Sequence, residues 1–306
     1  AVYADQKRFI KITTPTNDYV KVNFANLNLS FQLMPESLWR GKKEEKKKWQ
    51  VFASRWSDQF NLQVNNRVLN TEGLRVFNPL ITDFTDTAVV STTATLINTF
   101  YFNRSSTRWG LDYTTSVNRN QALLTYGLET QMLTRHSEKV RWILNKNITL
   151  TTTALQGKRS FLSPIADGRT YEIYSQGLEP SVVFIYGSRF RMTPTYRYEA
   201  RKNGSAFGGE QAFVHNLSLE ARWSALTVGN LLARASYSKI AYNGLPNTPL
   251  SFVMLETLSK GNNWLWYLNW TTRLNKTIEF SIEYDGRKPG SQSVIHTGSM
   301  SLRAVL

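Results

Sequence analysis

The sequence predicts an all-β protein: an integral outer-membrane antiparallel β-barrel of about 14 strands, within a range of about 12–16. Three observations support this fold class. Apolar and polar residues alternate along many short segments, as expected for strands with one oily and one wet face. No stretch approaches the roughly 18 consecutive apolar residues of a spanning helix. Short and long polar connections alternate in the second half of the chain, as turns and external loops do in such barrels.

The N-terminal part of the chain is the least regular. Residues 1–50 are expected to form an irregular segment with the first strand or strands, and a weak alternating pattern lies at 18–33. A second weak pattern follows at 57–68, and residues 51–306 are expected to form the transmembrane barrel. The first residues lack the apolar core of a signal peptide, so we expect a mature chain or a remnant of a longer one.

Stronger strand patterns begin at about residue 86, separated by runs of Ser, Thr, Asn and Gly. A barrel strand needs only about ten alternating residues, so short amphipathic segments suffice. The predicted strands lie, in order, at 88–102, 108–117, 122–133, 138–144, 148–156, 170–186, 190–200, 213–223, 230–242, 264–272, 277–286 and 294–306.

The connections between these strands predict an orientation. Short turns are expected at 118–121, 144–147, 187–189, 224–229 and 274–277, and longer loops at 157–169, 201–212, 243–263 and 287–293. Counting strands backward from a periplasmic C-terminus at Leu306 puts all five short turns on the periplasmic side. The connection at 134–137 is the exception, because it is short but counts as external. The turns at 144–147 and 274–277 both begin with Leu-Asn-Lys and are expected to fold alike.

The alternation also assigns each side chain to a face. A charge that faces lipid near the middle of the membrane costs roughly 2–4 kcal/mol, so charged residues on the strands are expected to face the lumen. The predicted lumen-facing charges are Arg141, Glu220, Arg222, Arg234, Glu279, Glu283 and Arg303. The predicted lipid-facing residues are Trp142, Trp223, Trp266, Trp270, Phe280, Ile282 and Leu302. Because Glu220, Arg222 and Arg234 fall on neighbouring predicted strands, we expect ion pairs among them.

Composition narrows the class of protein. Hydrophobic residues make up 41% of the chain but the mean hydropathy is −0.36, and the 9 Trp and 14 Tyr suit a membrane boundary. The absence of cysteine excludes disulfides and thiolate metal sites. The net charge of +15 is scattered, apart from the lysine-rich run at 42–48, so no nucleic-acid partner is predicted. The expected partners are outer-membrane lipid, including lipopolysaccharide, and other envelope proteins.

The sequence shows no signature of catalysis. His136, His215 and His296 are the three histidines, and no two of them lie at a metal-binding spacing. Neither a phosphate-binding glycine loop nor a Gly-x-Ser-x-Gly elbow occurs. We therefore predict no enzymatic activity, no cofactor and no catalytic, cofactor-binding or metal-binding residues.

Four stretches carry a resemblance to a known class of proteins. Residues 283–290 read EYDGRKPG and residues 294–298 read VIHTG; residues 98–104 read NTFYFNR and residues 108–113 read RWGLDY. With these motifs, the region 86–306 resembles the C-terminal β-barrel region of large outer-membrane proteins of Bacteroidota. The resemblance implies a barrel fold and an outer-membrane location rather than a particular activity.

These observations predict a non-enzymatic outer-membrane β-barrel that serves as a subunit of a larger envelope complex in export, assembly or uptake. A stand-alone, porin-like diffusion channel is the first alternative. A soluble β-sandwich binding module is the second, since such a fold would hide the oily strand faces between two sheets. An ordered, charged and loop-filled lumen would favour the subunit, whereas a continuous wet path would favour the channel.

Overall fold

A computed structural model of the chain describes residues 21–39, 47–69, 88–124, 127–164, 169–225, 229–275 and 277–304. Within these ranges, thirteen strands form one sheet in sequence order, and all neighbouring strands are antiparallel. The strands are β1 (Val22–Leu33), β2 (Trp56–Leu69), β3 (Val89–Phe102), β4 (Trp109–Leu124), β5 (Gly127–Ile143), β6 (Ile148–Leu162), β7 (Tyr171–Tyr186), β8 (Phe190–Asn203), β9 (Gln211–Ala225), β10 (Gly229–Tyr242), β11 (Gly261–Arg273), β12 (Ile278–Lys288) and β13 (Ile295–Ala304).

The all-β, antiparallel class is therefore confirmed. The two α-helices of the described chain, α1 (Lys48–Ala53) and α2 (Pro249–Met254), have six residues each. No helix in the described ranges has the length and apolar character needed to cross a membrane. The strands β1 and β13 are the two edge strands, and the described pairings do not join them to each other.

The predicted strand boundaries are wrong in two regions. The strand expected at 148–156 continues to Leu162 as β6, so the first part of the loop expected at 157–169 is strand. The larger error lies between residues 108 and 144. The segments 108–117, 122–133 and 138–144 were expected to be three strands, but they form only β4 and β5. The expected turn at 118–121 lies inside β4, where Asn118 pairs with Thr95 and Leu133. A run of four polar residues resembles a turn. These residues nevertheless continue the strand, because both neighbouring strands pair with their backbone groups. The short external connection at 134–137 disappears with this correction, since it lies within β5.

Successive connections lie at alternate ends of the sheet, as expected for antiparallel strands in sequence order. The β5–β6, β7–β8, β9–β10 and β11–β12 connections lie at one end, the short-turn end, and the chain leaves β13 at this same end. The β6–β7, β8–β9, β10–β11 and β12–β13 connections lie at the opposite end, the long-loop end. The turns at 144–147 and 274–277 thus share an end with Ala304, as strand parity requires; Leu306 itself is outside the described residues.

The two Leu-Asn-Lys turns do use the same local structure. The Oδ1 atom of Asn145 accepts hydrogen bonds from the backbone N–H groups of Asn147 at 2.8 Å and Ile148 at 2.9 Å. The Oδ1 atom of Asn275 likewise accepts from the backbone N–H of Thr277 at 2.8 Å. An Asn side chain that bonds to the backbone two residues later stabilises a tight turn, so this residue explains why the motif recurs.

Strand register defines two faces of the sheet. From β3 to β13 each described strand pair keeps a constant register, and the register shift recorded among the described pairings lies between Arg67 and Val68 of β2. Directly opposed residues share a face, and successive residues alternate. We call the face that carries Arg141, Glu220 and Arg234 the polar face, and the opposite one the apolar face. The faces remain distinct from β3 to β13 because the register does not slip between these strands.

Buried residues concentrate at the long-loop end. One cluster comprises Val68, Ala88 and Val89, against which Leu128 packs. The larger cluster joins side chains of β7, β9 and β10 to the connection that follows β10. The described residues form no continuous core between layers; the apolar face instead presents large exposed side chains such as Leu217, Trp142 and Leu302.

The hairpin between β9 and β10 depends on Gly229, which has φ +92°. A Cβ atom built there would lie 2.1 Å from the carbonyl oxygen of Thr271 on β11. We therefore expect Gly229→Ala to destabilise the fold by about 1–3 kcal/mol, measured from the urea midpoint in detergent. Gly187→Ala is the control, since Gly187 also has a positive φ of +59° but has open space around its Cβ position. Equal effects of the two substitutions would contradict this packing of β10 against β11.

Candidate functional site

The strand register places each of the predicted lumen-facing and lipid-facing residues on one face of the sheet. All seven residues predicted to face the lumen lie on the polar face: Arg141, Glu220, Arg222, Arg234, Glu279, Glu283 and Arg303. All seven residues predicted to face lipid lie on the apolar face: Trp142, Trp223, Trp266, Trp270, Phe280, Ile282 and Leu302. The two sets are therefore separated as expected, while the environment of each face stays a prediction.

Ion pairs connect the charges of the polar face on β9 and β10. One carboxylate, that of Glu220, accepts from Arg222 Nε at 2.7 Å and from Arg234 Nε at 2.8 Å. The side chains of Arg222 and Arg234 are more than half exposed, so each pair contributes at most about 1 kcal/mol. The expected ion pairing at this position is thus present, and it neutralises part of the charge of the face.

Other predicted residues have different surroundings. Among the described residues, no ion pair joins Arg141 to an acid; its Nη2 donates to the backbone oxygen of Arg104 at 2.9 Å and so fixes the connection between β3 and β4. Glu279 lies directly opposite Arg303 on one side and Arg273 on the other. The polar face therefore uses its charges for cross-strand pairing and for anchoring a connection, and both uses make the face more rigid.

The connection at 243–260, which we call the inward loop, packs against the polar face through buried side chains. Met254 and Leu255, at the end of α2, are 0% and 5% exposed. They pack in one cluster with six strand residues: Tyr171, Ile173, Ala212, Val214, Ile240 and Tyr242. Val214 and Ile240 oppose each other, and their positions on β9 and β10 belong to the polar face. The inward loop thus folds over the polar face at the long-loop end and reaches as far as β7.

A buried arginine fastens the inward loop to β8. Arg201 is 7% exposed, and its Nη1 donates to the backbone oxygen of Met254 at 2.6 Å. Its Nε and Nη2 donate to the two carboxylate oxygens of Glu199 at 2.9 and 2.7 Å. Nη2 also contacts Glu256, whose other carboxylate oxygen lies 2.6 Å from Arg197 Nη2. This arrangement satisfies the buried guanidinium on both sides, which is what makes burial of a charge tolerable.

Local sequence shapes the loop for this contact. Thr248 caps α2, because its Oγ1 accepts from the backbone N–H of Ser251 at 3.1 Å while Ser251 Oγ accepts from the backbone N–H of Thr248 at 3.0 Å. Pro249 occupies the first helical position, where its fixed φ is favourable. Glu256 and Thr257 then have φ values of +53° and +66°, which turn the chain back after the helix. Such left-handed residues cost about 1 kcal/mol or more each, and the Arg201 contacts offset this cost.

The ionisation of Glu256 follows from these neighbours. Burial acts to raise the pKa of this carboxyl, but Arg201 and Arg197 outweigh burial and hold the pKa below its ordinary value. A carboxyl with a lowered pKa in the folded state stabilises that state above the unfolded pKa and ceases to do so as the pH falls through the lowered value. The contact is therefore complete at neutral pH.

Aromatic residues line both ends of the apolar face. At the short-turn end, Trp56 packs edge-on against Phe100 at 5.3 Å between ring centroids, and Trp109 lies 5.6 Å from Phe102. At the long-loop end, Tyr237 lies 4.5 Å from Trp264. On β9, Trp223 lies near the short-turn end and His215 lies eight residues away toward the long-loop end. At about 3.4 Å per residue and a tilt of about 40°, the band between them is about 21 Å tall, close to the roughly 25 Å apolar band of membrane barrels.

The three histidines share one arrangement on the apolar face. In each, Nδ1 lies within hydrogen-bonding distance of a tyrosine hydroxyl: His136 with Tyr113 at 3.1 Å, His215 with Tyr196 at 2.8 Å and His296 with Tyr284 at 2.8 Å. Tyrosine hydroxyls satisfy these rings across neighbouring strands, so the histidines are accounted for by pairing. Among the residues described, no three His, Cys, Asp or Glu side chains lie close enough together to hold a metal ion.

Sequence reasoning missed the inward loop, which was expected to be a long polar connection at 243–263. Two signals were present. The sequence TPLS at 248–251 is a helix start, and apolar residues continue through Leu250, Val253 and Met254 to Leu258, although external loops are usually polar. Ile240, Tyr242 and Val214 also occupy polar-face positions where small or charged residues were expected. Apolar residues in the loop, together with apolar residues on the otherwise polar face, would have indicated that the loop packs against that face.

Comparison with known proteins adds no assignment. No protein-family model matches the chain, and a search of curated proteins finds no significant match.

Removing the Arg201 side chain should release the inward loop. Arg201→Ala leaves Glu199 and Glu256 without their shared partner, and breaking a buried ion pair in this way costs about 3–5 kcal/mol. We expect hydrogen exchange at residues 249–255 to become faster while the central strands keep their protection. The matched control is Arg222→Ala, which removes an arginine that is 56% exposed on the same face and should leave the loop unchanged. Unaltered exchange in Arg201→Ala would rule out the clamp.

Acid should release the loop as well. A spin label on Phe252→Cys, a position that is 53% exposed on α2, should report an immobilised loop from pH 7 down to pH 5. Mobility should rise only below the ordinary carboxyl pKa of about 4.3, because protonation of Glu256 weakens its contacts with Arg197 and Arg201. Glu256→Gln should raise loop mobility at pH 7 and reduce its change on acidification. A transition near pH 6 would instead implicate a group other than Glu256.

Proposed function

We propose that this chain is a non-enzymatic, membrane-embedded subunit of a larger envelope complex, and that its sheet forms part of the wall of an outer-membrane β-barrel. The observation that carries the proposal is the separation of the two faces from β3 to β13. Arg141, Glu220 and Arg234 lie on one face, and large aromatic and aliphatic side chains predominate on the other toward the short-turn end. A barrel wall in a membrane needs this separation, since one side meets lipid and the other water.

The exposed apolar face supports a lipid environment over a soluble one. Met300 is 75% exposed, Leu302 67%, and Leu217 and Trp142 56% each. In water, an apolar patch of this extent would need a cover, because such surfaces on soluble proteins mark interfaces or aggregation sites. A β-sandwich would supply that cover as a second sheet, but all thirteen described strands belong to one sheet. The proposal therefore favours lipid as the partner of this face.

The two edge strands support a partner beyond the described sheet. All ten residues of β13 are exposed, and one of its sides bonds to β12. In hydrocarbon every backbone N–H and C=O must be paired, so an open edge cannot persist there. With thirteen strands in sequence order, β1 and β13 run parallel, whereas bacterial single-chain barrels close with an even number of antiparallel strands. We infer that at least one further strand completes the wall.

The contents of the polar face support a scaffold over a stand-alone channel. Glu220 neutralises charge on Arg222 and Arg234, and the inward loop is held against β7 to β10 by buried apolar contacts and by Arg201. A diffusion channel needs a continuous water path and benefits from an unpaired charge of one sign. The docked loop reduces the water path, and the paired charges reduce the unpaired charge. These features favour a structural subunit of an assembly over a channel.

Spin labels on neighbouring residues of β9 test the membrane proposal. The chain contains no cysteine, so Leu219→Cys and Ser218→Cys each provide one labelling site on opposite faces. In liposomes, the label at 219 should be accessible to oxygen, which concentrates in lipid, and the label at 218 to a water-soluble nickel complex. The same accessibility at both sites, or the reverse pattern, would contradict the assignment of the apolar face to lipid.

Conductance separates the scaffold from the channel. The purified chain in planar bilayers should give weak or absent conductance, because the inward loop and the ion pairs occupy the polar face. Arg201→Ala, which frees the loop, should conduct more than wild type, and Arg222→Ala serves as the control. Large, stable, anion-selective steps from the wild-type chain would replace the scaffold by the channel. A chain that purifies in detergent without any associated envelope protein would contradict the subunit role.

A further inference from the structure

Basic residues on the apolar face are confined to the long-loop end. Lys158, Lys202, Lys239 and Lys288 lie there on alternate strands, namely β6, β8, β10 and β12, and we call these four the lysine row. Arg119 on β4 lies on the same face and toward the same end. In the half of the apolar face toward the short-turn end, the described strands carry no Lys or Arg. Both ends of the apolar face therefore carry aromatic residues, and the long-loop end carries basic residues as well.

The lysines of the row are exposed and flanked by aromatic rings. Register places Lys202 and Lys158 on either side of Tyr174, Lys239 next to His215, and Lys288 next to Trp264. The ammonium of Lys158 lies 5.1 Å from the Tyr174 ring centroid and 3.1 Å from Glu172. A lysine beside an aromatic belt can rest its aliphatic stem on apolar surface and place its ammonium at headgroup depth.

We propose that the lysine row binds the phosphate groups of lipopolysaccharide in the leaflet at the long-loop end. This inference rests on the proposed membrane location and deepens it by naming the lipid and the residues that hold it. Charge complementarity selects a phosphate-bearing partner: Glu172 is the acid that the described strands place on this part of the apolar face, and it engages Lys158. Lys202, Lys239 and Lys288 are thus the lysines free of a described ion pair with protein.

The spacing of the row favours a lipid with more than one phosphate. Neighbouring strands lie about 4.8 Å apart, so lysines on alternate strands are separated by roughly 10 Å, and Lys202 and Lys288 by roughly 20 Å. One molecule with two phosphates and several acyl chains can span several strands and contact two of these lysines together. A glycerophospholipid with a single phosphate reaches one lysine at a time and gains correspondingly less.

The test is binding of diphosphorylated lipid A to the full chain in detergent, measured by native mass spectrometry. The variant Lys202→Gln, Lys239→Gln, Lys288→Gln should bind roughly fivefold more weakly per lysine, or on the order of a hundredfold in total. The control variant Lys48→Gln, Lys139→Gln, Lys146→Gln removes the same charge from exposed lysines toward the short-turn end or on the polar face, and should bind as wild type does. Arginine at positions 202, 239 and 288 should retain binding.

Three outcomes would overturn the proposal. Dephosphorylated lipid A binding as tightly as the diphosphorylated form would remove the role of phosphate. Equal binding by phosphatidylglycerol would remove the preference for lipopolysaccharide. Equal loss in the test and control variants would reduce the effect to net charge. Failure of the membrane proposal itself would show separately, in the spin-label accessibility of positions 218 and 219, which these substitutions leave unchanged.

Discussion

Cross-strand register is the constraint on which the rest of this structure depends. Side chains alternate with period two, so a one-residue slip at any strand between β5 and β12 would exchange the two faces from that point on. A slip between β8 and β9, for example, would place Glu220 and Arg234 on the face of Met192 and Tyr196 of β8. In lipid each such Arg costs about 2–4 kcal/mol at mid-depth, and the ion pairs of Glu220 recover at most about 1 kcal/mol each. The face separation therefore acts as the main determinant of register, and the ion pairs refine it.

Backbone pairing is the second constraint, and it concerns the two edge strands of the thirteen-stranded sheet. Within the sheet, the ladder hydrogen bonds between neighbouring strands satisfy the backbone. At β1 and β13 one row of backbone groups has no described strand beside it. Water satisfies such an edge in a soluble protein, but hydrocarbon does not. The apolar face and the open edges thus make opposite demands on an isolated sheet, and the proposed assembly would meet both by adding strands.

Two kinds of ion pair occur on the polar face, and their burial separates their roles. The Glu220 pairs are largely exposed, so they tune charge and add little stability. The Arg201 group is buried beneath the inward loop and joined to its backbone, so its loss leaves unpaired charges and frees the loop. The free energy lost with the Arg201 contacts is roughly threefold or more that of an exposed Glu220 pair. Arg201 therefore holds the loop in place, whereas the Glu220 pairs mainly set the charge of the face.

Sequence alone determined the class and the faces. Alternation is a local property of each strand, so Trp266 and Glu283, or Leu302 and Arg303, fall on opposite faces whatever the neighbouring strand is. Turn chemistry was equally local, since Asn145 and Asn275 carry their own hydrogen-bond acceptors. The polar run at 118–121 was misread because only the strands on either side, β3 and β5, show that its backbone is paired.

Only the tertiary structure decided how the inward loop docks, and it also brought the lysine row together. Arg201 and Met254 are more than fifty residues apart, and Lys158 and Lys288 are separated by six strands. The contact of the first two residues, and the common face and end shared by the two lysines, depend on the order and register of the intervening strands, which no single segment encodes. Alternation is local, so the sequence alone determined what each face is made of. Contact between distant residues requires the whole sheet, so only the tertiary structure decided which of them share a place on a face.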